Sequence, residues 1–237
     1  MRKLPPLLLN VFCLSLLTGV AIALPNAQPA AQAQPAVTTL QELRQTFQKR
    51  RPRDEGIRRG GLCVLAPGTD VLQKEYVIWS DRPLFLWQLN TPNIKVSQLR
   101  ISNPTSGEII WEQTLQPNSN QILYSGTPLQ AGQIYSWELT FQRNLDQSIT
   151  SEKTEYRFKV MDLEQRNAKR TELETLTQKL QATRTAPEEI ALQQGQYFAD
   201  QGLLSDALQV LYAIQSPSPA TTQLLQELVA SACPSKT

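Results

Sequence analysis

Few side chains in this sequence can move a proton at neutral pH. The 237 residues include no histidine. That removes the usual general base, the Ser-His and Cys-His nucleophile pairs and the commonest zinc ligand. The chain also lacks a Gly-x-Ser-x-Gly elbow, a Ser-x-x-Lys pair, a Cys-x-x-Cys pair and a Gly-rich phosphate loop. Two carboxylates are enough for glycoside hydrolysis, and Glu108, Glu112 and Glu138 fall on strand-like stretches. Glu138 alternates with aromatic residues, however, and belongs on a water-facing side. Asn144 and Asp146 could contribute to calcium binding, but no EF-hand-like ligand series surrounds them and turn chemistry accounts for both. The expectation is a non-enzyme with no cofactor and no metal. Among Trp79, Trp87, Trp111 and Trp137, two look like core, Trp87 and Trp137. Trp111, followed by Glu112 and Gln113 on an expected edge strand, is the candidate ligand contact, a sugar-stacking surface. Burial is the competing reading of Trp111.

These residues need a frame, and Leu129–Gln142 supplies its centre. Tyr135, Trp137, Leu139 and Phe141 alternate with Ser136, Glu138 and Thr140, the period of a strand with one buried face. Leu129, Gly132 and Tyr135 stand at i, i+3 and i+6, spacing that resembles the tyrosine corner of immunoglobulin-like and fibronectin type III sandwiches. From Gly61 onward, LCVLA, YVIWS, PLFLWQL, VSQLRIS, EIIWEQTL, QILYSG and TEYRFKVM supply further strands at sandwich spacing. In PLFLWQL, Phe85, Trp87 and Leu89 share one face and Leu84 and Leu86 the other, so that strand should be buried on both sides. Asn103–Gly107 is a turn, and polar Arg143–Ser148 should loop between the last two strands.

The N-terminus reads as an export signal. Arg2 and Lys3 precede an apolar run, Leu7–Leu24, and a small-x-small site at Ala31-Gln32-Ala33. Cleavage is expected after Ala33, with Ala23 the alternative and an uncleaved anchor the rival. Cys13 follows Phe12, which argues against a lipoprotein site. Removing residues 1–33 leaves 21 basic against 21 acidic residues, so no global charge favours nucleic acid. Residues 34–58 read as a linker with a short helix: Thr39–Glu42 has capping-box spacing, and Leu40, Leu43 and Phe47 form a stripe. The basic run Lys49, Arg50, Arg51, Arg53, Arg58 and Arg59 reads either as a solvated linker or as contact with an anionic envelope surface. Cys63 and Cys233, an even pair in an exported chain, either form a disulfide or remain unrelated thiols.

At Met161-Asp162 the pattern switches from strand to helix. Asp162 and Gln165 have capping-box spacing, and Leu173, Leu176 and Leu180 form a thin stripe on a long helix. Pro187 opens another helix. Gly195, Phe198, Gly202, Ala207, Leu211, Ile214 and Pro219 then have the spacing of one tetratricopeptide repeat, with Ala191 departing from that pattern. A single repeat builds no peptide groove, so its role should be structural. The expected fold is α+β: an immunoglobulin/fibronectin-like antiparallel sandwich over residues 59–161 and a helical subdomain over 162–237.

Arg59-Gly60-Gly61 before Cys63, Arg82–Trp87, Leu99–Trp111, Leu129–Trp137, Tyr197–Leu208 and the closing Cys233 together resemble a cyanobacterial secreted family. It is known only as a domain of unknown function, the one numbered 928. The resemblance spans about Arg58 to the C-terminus and contains no catalytic motif. It implies export, two cysteines at corresponding ends, and association with envelope or secretion systems. The functional expectation is a non-catalytic interaction or scaffold module of the envelope, its partner a secreted or envelope protein or a polysaccharide. A carbohydrate-binding module is the alternative.

Overall fold

The structure, a computed structural model, describes residues 34–50, 61–68, 76–145 and 148–233. All of these lie in the second of the chain's two units, Ala33–Thr237. In chain order the elements are helix α1 (Gln34–Arg50), strands β1 (Leu62–Ala66), β2 (Val77–Ile78), β3 (Leu84–Leu89), β4 (Ile94–Ser102), β5 (Ile109–Thr114), β6 (Gln121–Leu123), β7 (Ile134–Leu145) and β8 (Ser148–Val160), then helices α2 (Leu163–Ala182), α3 (Pro187–Asp200), α4 (Leu204–Tyr212) and α5 (Pro219–Ala232). The protein is mixed α+β, with two sheets and five helices among the described residues.

One sheet has the order β1-β3-β6 and the other β2-β8-β7-β4-β5. All pairings are antiparallel except that of β2 with β8. The alternation along β7 is realised: Tyr135, Trp137, Leu139 and Phe141 are buried between the sheets, and the Phe85 and Trp137 rings meet edge-on at 5.0 Å. β3 is buried on both faces because both of its faces are apolar. Phe85 and Trp87 enter the core between the sheets, whereas Leu84 and Leu86 enter a second core with the helices. β1 divides in the same way, Leu62 and Val64 facing the other sheet, Cys63 and Leu65 facing the helices. The smaller sheet is therefore the middle of three layers.

Four expectations differ from what is observed. The N-terminal helix begins at Gln34 instead of Thr39, so residues 34–37 are helix and not linker, and the Thr39 capping box does not form. Pro35 is tolerated there because a first-turn residue needs no backbone N–H. Thr39 instead lies inside α1, 1% exposed, donating to Glu189 Oε1 (2.9 Å) and accepting from Gln193 Nε2 (2.7 Å). Leu40, Leu43 and Phe47 dock α1 into the helical core, making it a member of that layer. Of the expected loop Arg143–Ser148, the described residues Arg143–Leu145 and Ser148 are strand, with Leu145 opposite Ser148 and Asn144 opposite Ile149. Polar side chains read as loop there, but they fit the wet side of a ladder that Arg143 and Glu152 (3.1 Å) help to hold. Asp162 occupies the N-cap of α2 without a side-chain cap; its carboxylate pairs with Lys159 Nζ at 3.3 Å. YVIWS shortens to two strand residues because the N–H groups of Trp79 and Ser80 are bonded by a helix side chain.

α3 and α4 form the expected hairpin. A Cβ added at Gly195 would lie 2.9 Å from Leu211 Cδ2, so the absent side chain is what lets the helices approach. No helix among the described residues is long and apolar enough to cross a membrane.

Candidate functional site

The densest polar chemistry lies where the segment between β2 and β3 passes beneath α2 and α4. Asp206, in the first turn of α4, is 3% exposed. Its Oδ2 accepts from the Trp79 N–H (2.9 Å) and its Oδ1 from the Ser80 N–H (2.8 Å). Burial pushes its pKa up to about 6, outweighing the opposing effects of those two bonds and of Arg166. Arg166, on α2 and 8% exposed, donates from Nη2 to Asp81 Oδ2 (2.6 Å) and from Nε to the Trp79 carbonyl (3.0 Å). The Trp79 indole N–H returns a bond to the Arg166 carbonyl (3.0 Å). Gln209 of α4 accepts from Leu84 N (3.1 Å) and donates to Ser80 Oγ (3.2 Å) and the Arg82 carbonyl (3.0 Å). Tyr76 and Ser205 pair at 2.8 Å, and burial raises the tyrosine pKa.

Both Asp206 oxygens are thus engaged by backbone, and the carboxylate is sealed from solvent. It has no open side for a substrate, and its chemistry is positional. Its role is to fix Trp79. That ring is half-buried, tilted against Phe198 at 5.3 Å, with the Arg166 guanidinium 5.9 Å from its centroid. Part of it lines an open cleft of about 420 Å³, together with Arg170, Leu173, Glu174, Thr177, Gln178 and Gln194.

The residues singled out from the sequence are distributed elsewhere. Cys63 and Cys233 are joined in a disulfide, Cα atoms 5.9 Å apart, which ties β1 to the end of α5. The Tyr135 hydroxyl accepts from the Gln130 N–H at 2.8 Å, Leu129 is buried, and Gly132 has φ +77° while its N–H donates to the Val160 carbonyl (2.9 Å). Trp111 does stand on an edge strand, but Tyr124 packs edge-on against it at 5.3 Å and it is half-buried against the inter-sheet core. Lys49 and Arg50 are exposed in the last turn of α1, where their charge suits the helix dipole; Arg51, Arg53, Arg58 and Arg59 lie outside the described residues. Glu112 is paired with Arg100 (2.7 Å) and Glu138 with Lys153 (2.9 Å), so these carboxylates belong to a balanced charged face. Among the described residues, no three metal-ligating side chains cluster, and Asp146 lies outside them.

Asp206, Arg166 and Gln209 were not singled out from the sequence. In the sequence Asp206 reads as an ordinary first-turn acid of LSDALQVLY, and Arg166 and Gln209 as surface residues of their helices. No family model, curated protein or solved structure matches the chain.

Proposed function

We propose that the chain is an exported, non-catalytic interaction module of the cell envelope, an immunoglobulin-like sandwich carrying a helical layer on one face. The observation that carries the reading is the disulfide between Cys63 and Cys233. Such bonds persist in oxidising compartments, and this one agrees with the signal-like N-terminus and with the resemblance to the secreted family numbered 928. The immunoglobulin-like assignment is supported by the strand orders β1-β3-β6 and β2-β8-β7-β4-β5 and by the bond from Gln130 N–H to the Tyr135 hydroxyl. A non-catalytic role is supported by the absence of histidine and by the pairing of Glu112, Glu138 and Asp206 with cations or backbone. The function is to hold a partner, a secreted or envelope protein, on a rigid frame.

The test is fractionation of the native host followed by affinity capture from envelope extracts. Protein in the envelope or medium should begin near Gln34, with Cys63 and Cys233 joined in non-reducing peptide maps, and should retain a defined protein partner. Recovery in the cytosol with residues 1–33 intact and both thiols free would overturn the reading.

A further inference from the structure

Resting on that reading of an exported binding module, we propose that the cleft between α2, α3 and Trp79 binds a neutral saccharide chain. Three features of the lining select this ligand class. The floor is apolar and partly aromatic, from Trp79 and Leu173, and can accept the C–H face of a sugar ring. Around it stand side chains with unspent hydrogen-bonding capacity. Arg170, Glu174 and Gln178 are exposed and make no hydrogen bond or ion pair with the described residues. Gln194 gives its Nε2 to Thr177 Oγ1 (2.8 Å), which itself donates to the Leu173 carbonyl (2.7 Å), leaving the Gln194 amide oxygen to accept. A guanidinium, a carboxylate and two amides offer the paired donors and acceptors that vicinal hydroxyls require.

Charge and backbone exclude the main rivals. One arginine and one glutamate balance each other, so the cleft favours neither phosphate nor a cation. Six of the seven lining residues belong to α2 or α3, whose backbone groups are bonded within their helices. An extended peptide would find no strand edge to pair with, whereas sugar hydroxyls are served by side chains alone. At about 420 Å³ the cleft falls within the size range of ligand sites, and its open form suits a chain that continues beyond the bound ring. The support is preformed: Trp79 is held by Asp206 at its N–H, by Arg166 at its carbonyl, and at its indole nitrogen by the Arg166 carbonyl.

The probes are cellohexaose, chitohexaose, laminarihexaose and mannohexaose, titrated calorimetrically into the full chain. At least one should bind, and Arg170→Ala and Gln178→Ala should each weaken it about tenfold. Both positions are exposed and unpaired, so urea midpoints should not move and the loss cannot be ascribed to misfolding. The proposal is overturned if none of the four binds, or if binding survives unchanged in the double variant. Affinity capture with the same double variant separates this outcome from the broader reading. A protein partner retained by both proteins, with no saccharide bound, removes the cleft and leaves the envelope module standing. A partner lost in the double variant, with no saccharide bound, makes the cleft a protein site and overturns the saccharide.

Discussion

The Tyr135 hydroxyl is worth one hydrogen bond, and its surroundings set the size of that bond's contribution. Gln130, whose N–H it receives, is itself exposed, so water can re-solvate the donor when the hydroxyl is removed. Tyr135→Phe should therefore cost about 1 kcal/mol in urea unfolding, the low end of the range for a lost buried partner. Gly132→Val should cost more, about 2 kcal/mol or above. A β-branched residue is strained at φ +77°, and its Cβ would meet Asp162 Oδ1 at 2.9 Å. Asp206 makes a pH-dependent prediction. Its folded-state pKa is raised from 3.8 to about 6, so the folded protein holds that proton more tightly than the unfolded chain. The resulting stability is fully present below about pH 4 and is lost as pH rises through about 6, a span of about 3 kcal/mol. Asp206→Asn keeps the shape, carries a constant penalty for a lost acceptor, and removes the titration. The stability difference between the two proteins, from urea midpoints at pH 4 and pH 7.5, should shift by most of that amount in favour of the variant at the higher pH. A constant difference would mean that Asp206 titrates normally.

Elements whose burial follows their own sequence were legible before the fold was known. β3 alternates apolar residues on both sides, and so Leu84 and Leu86 could be assigned to one face and Phe85 and Trp87 to the other. The α3–α4 hairpin was legible because Gly195 and Ala207 are small where two helices must approach. Gly195→Leu should spread that hairpin against Leu211 and cost about 1–3 kcal/mol, a loss seen equally in urea midpoint and protease resistance. Gly195→Ala should cost less, since a gain in helix propensity offsets the contact and the Leu211 side chain can shift. What could not be read depended on distant partners. Nothing near Thr39 announces that the helix starts five residues earlier, because α1 is held by packing on α3 and α5 and not by its cap. Asp206 looks like any first-turn acid until Trp79 and Ser80, well over a hundred residues away, present their N–H groups. The cleft was invisible for the same reason: Trp79, Leu173 and Gln194 belong to separate segments and share no periodicity.

At the scale of the whole molecule, the middle sheet offers a partner little wet surface: β1 and β3 are covered on both sides, while β6 at its edge leaves Gln121 and Leu123 exposed. One of its sides is spent on the larger sheet and the other on the helices. Contacts with other molecules must therefore use the charged outer face of the larger sheet, the sheet edges or the helical layer. The disulfide holds this stack together across a sequence separation of 170 residues. For a loop of that length the chain-entropy contribution is about 5 kcal/mol, an upper figure because unfolded-state structure subtracts from it. Replacing both cysteines, Cys63→Ser with Cys233→Ser, should lower the urea midpoint markedly, and reduction of the parent protein should reproduce most of that loss. If the midpoint is unchanged in both cases, the helical layer docks by packing alone. The same bond makes a covalent ring of nearly everything from the first strand to the last helix, with α1 as a tail outside it. A protease that severs one peptide bond inside the ring opens it into a linear molecule of unchanged mass, apart from one water, and releases no fragment. Two cuts are needed to sever a piece covalently, whereas one cut between Arg50 and Cys63 leaves α1 held by its packing alone. In surroundings rich in proteases, covalent damage would thus register first at the tail, while the two sheets and their helical layer still travelled as one particle.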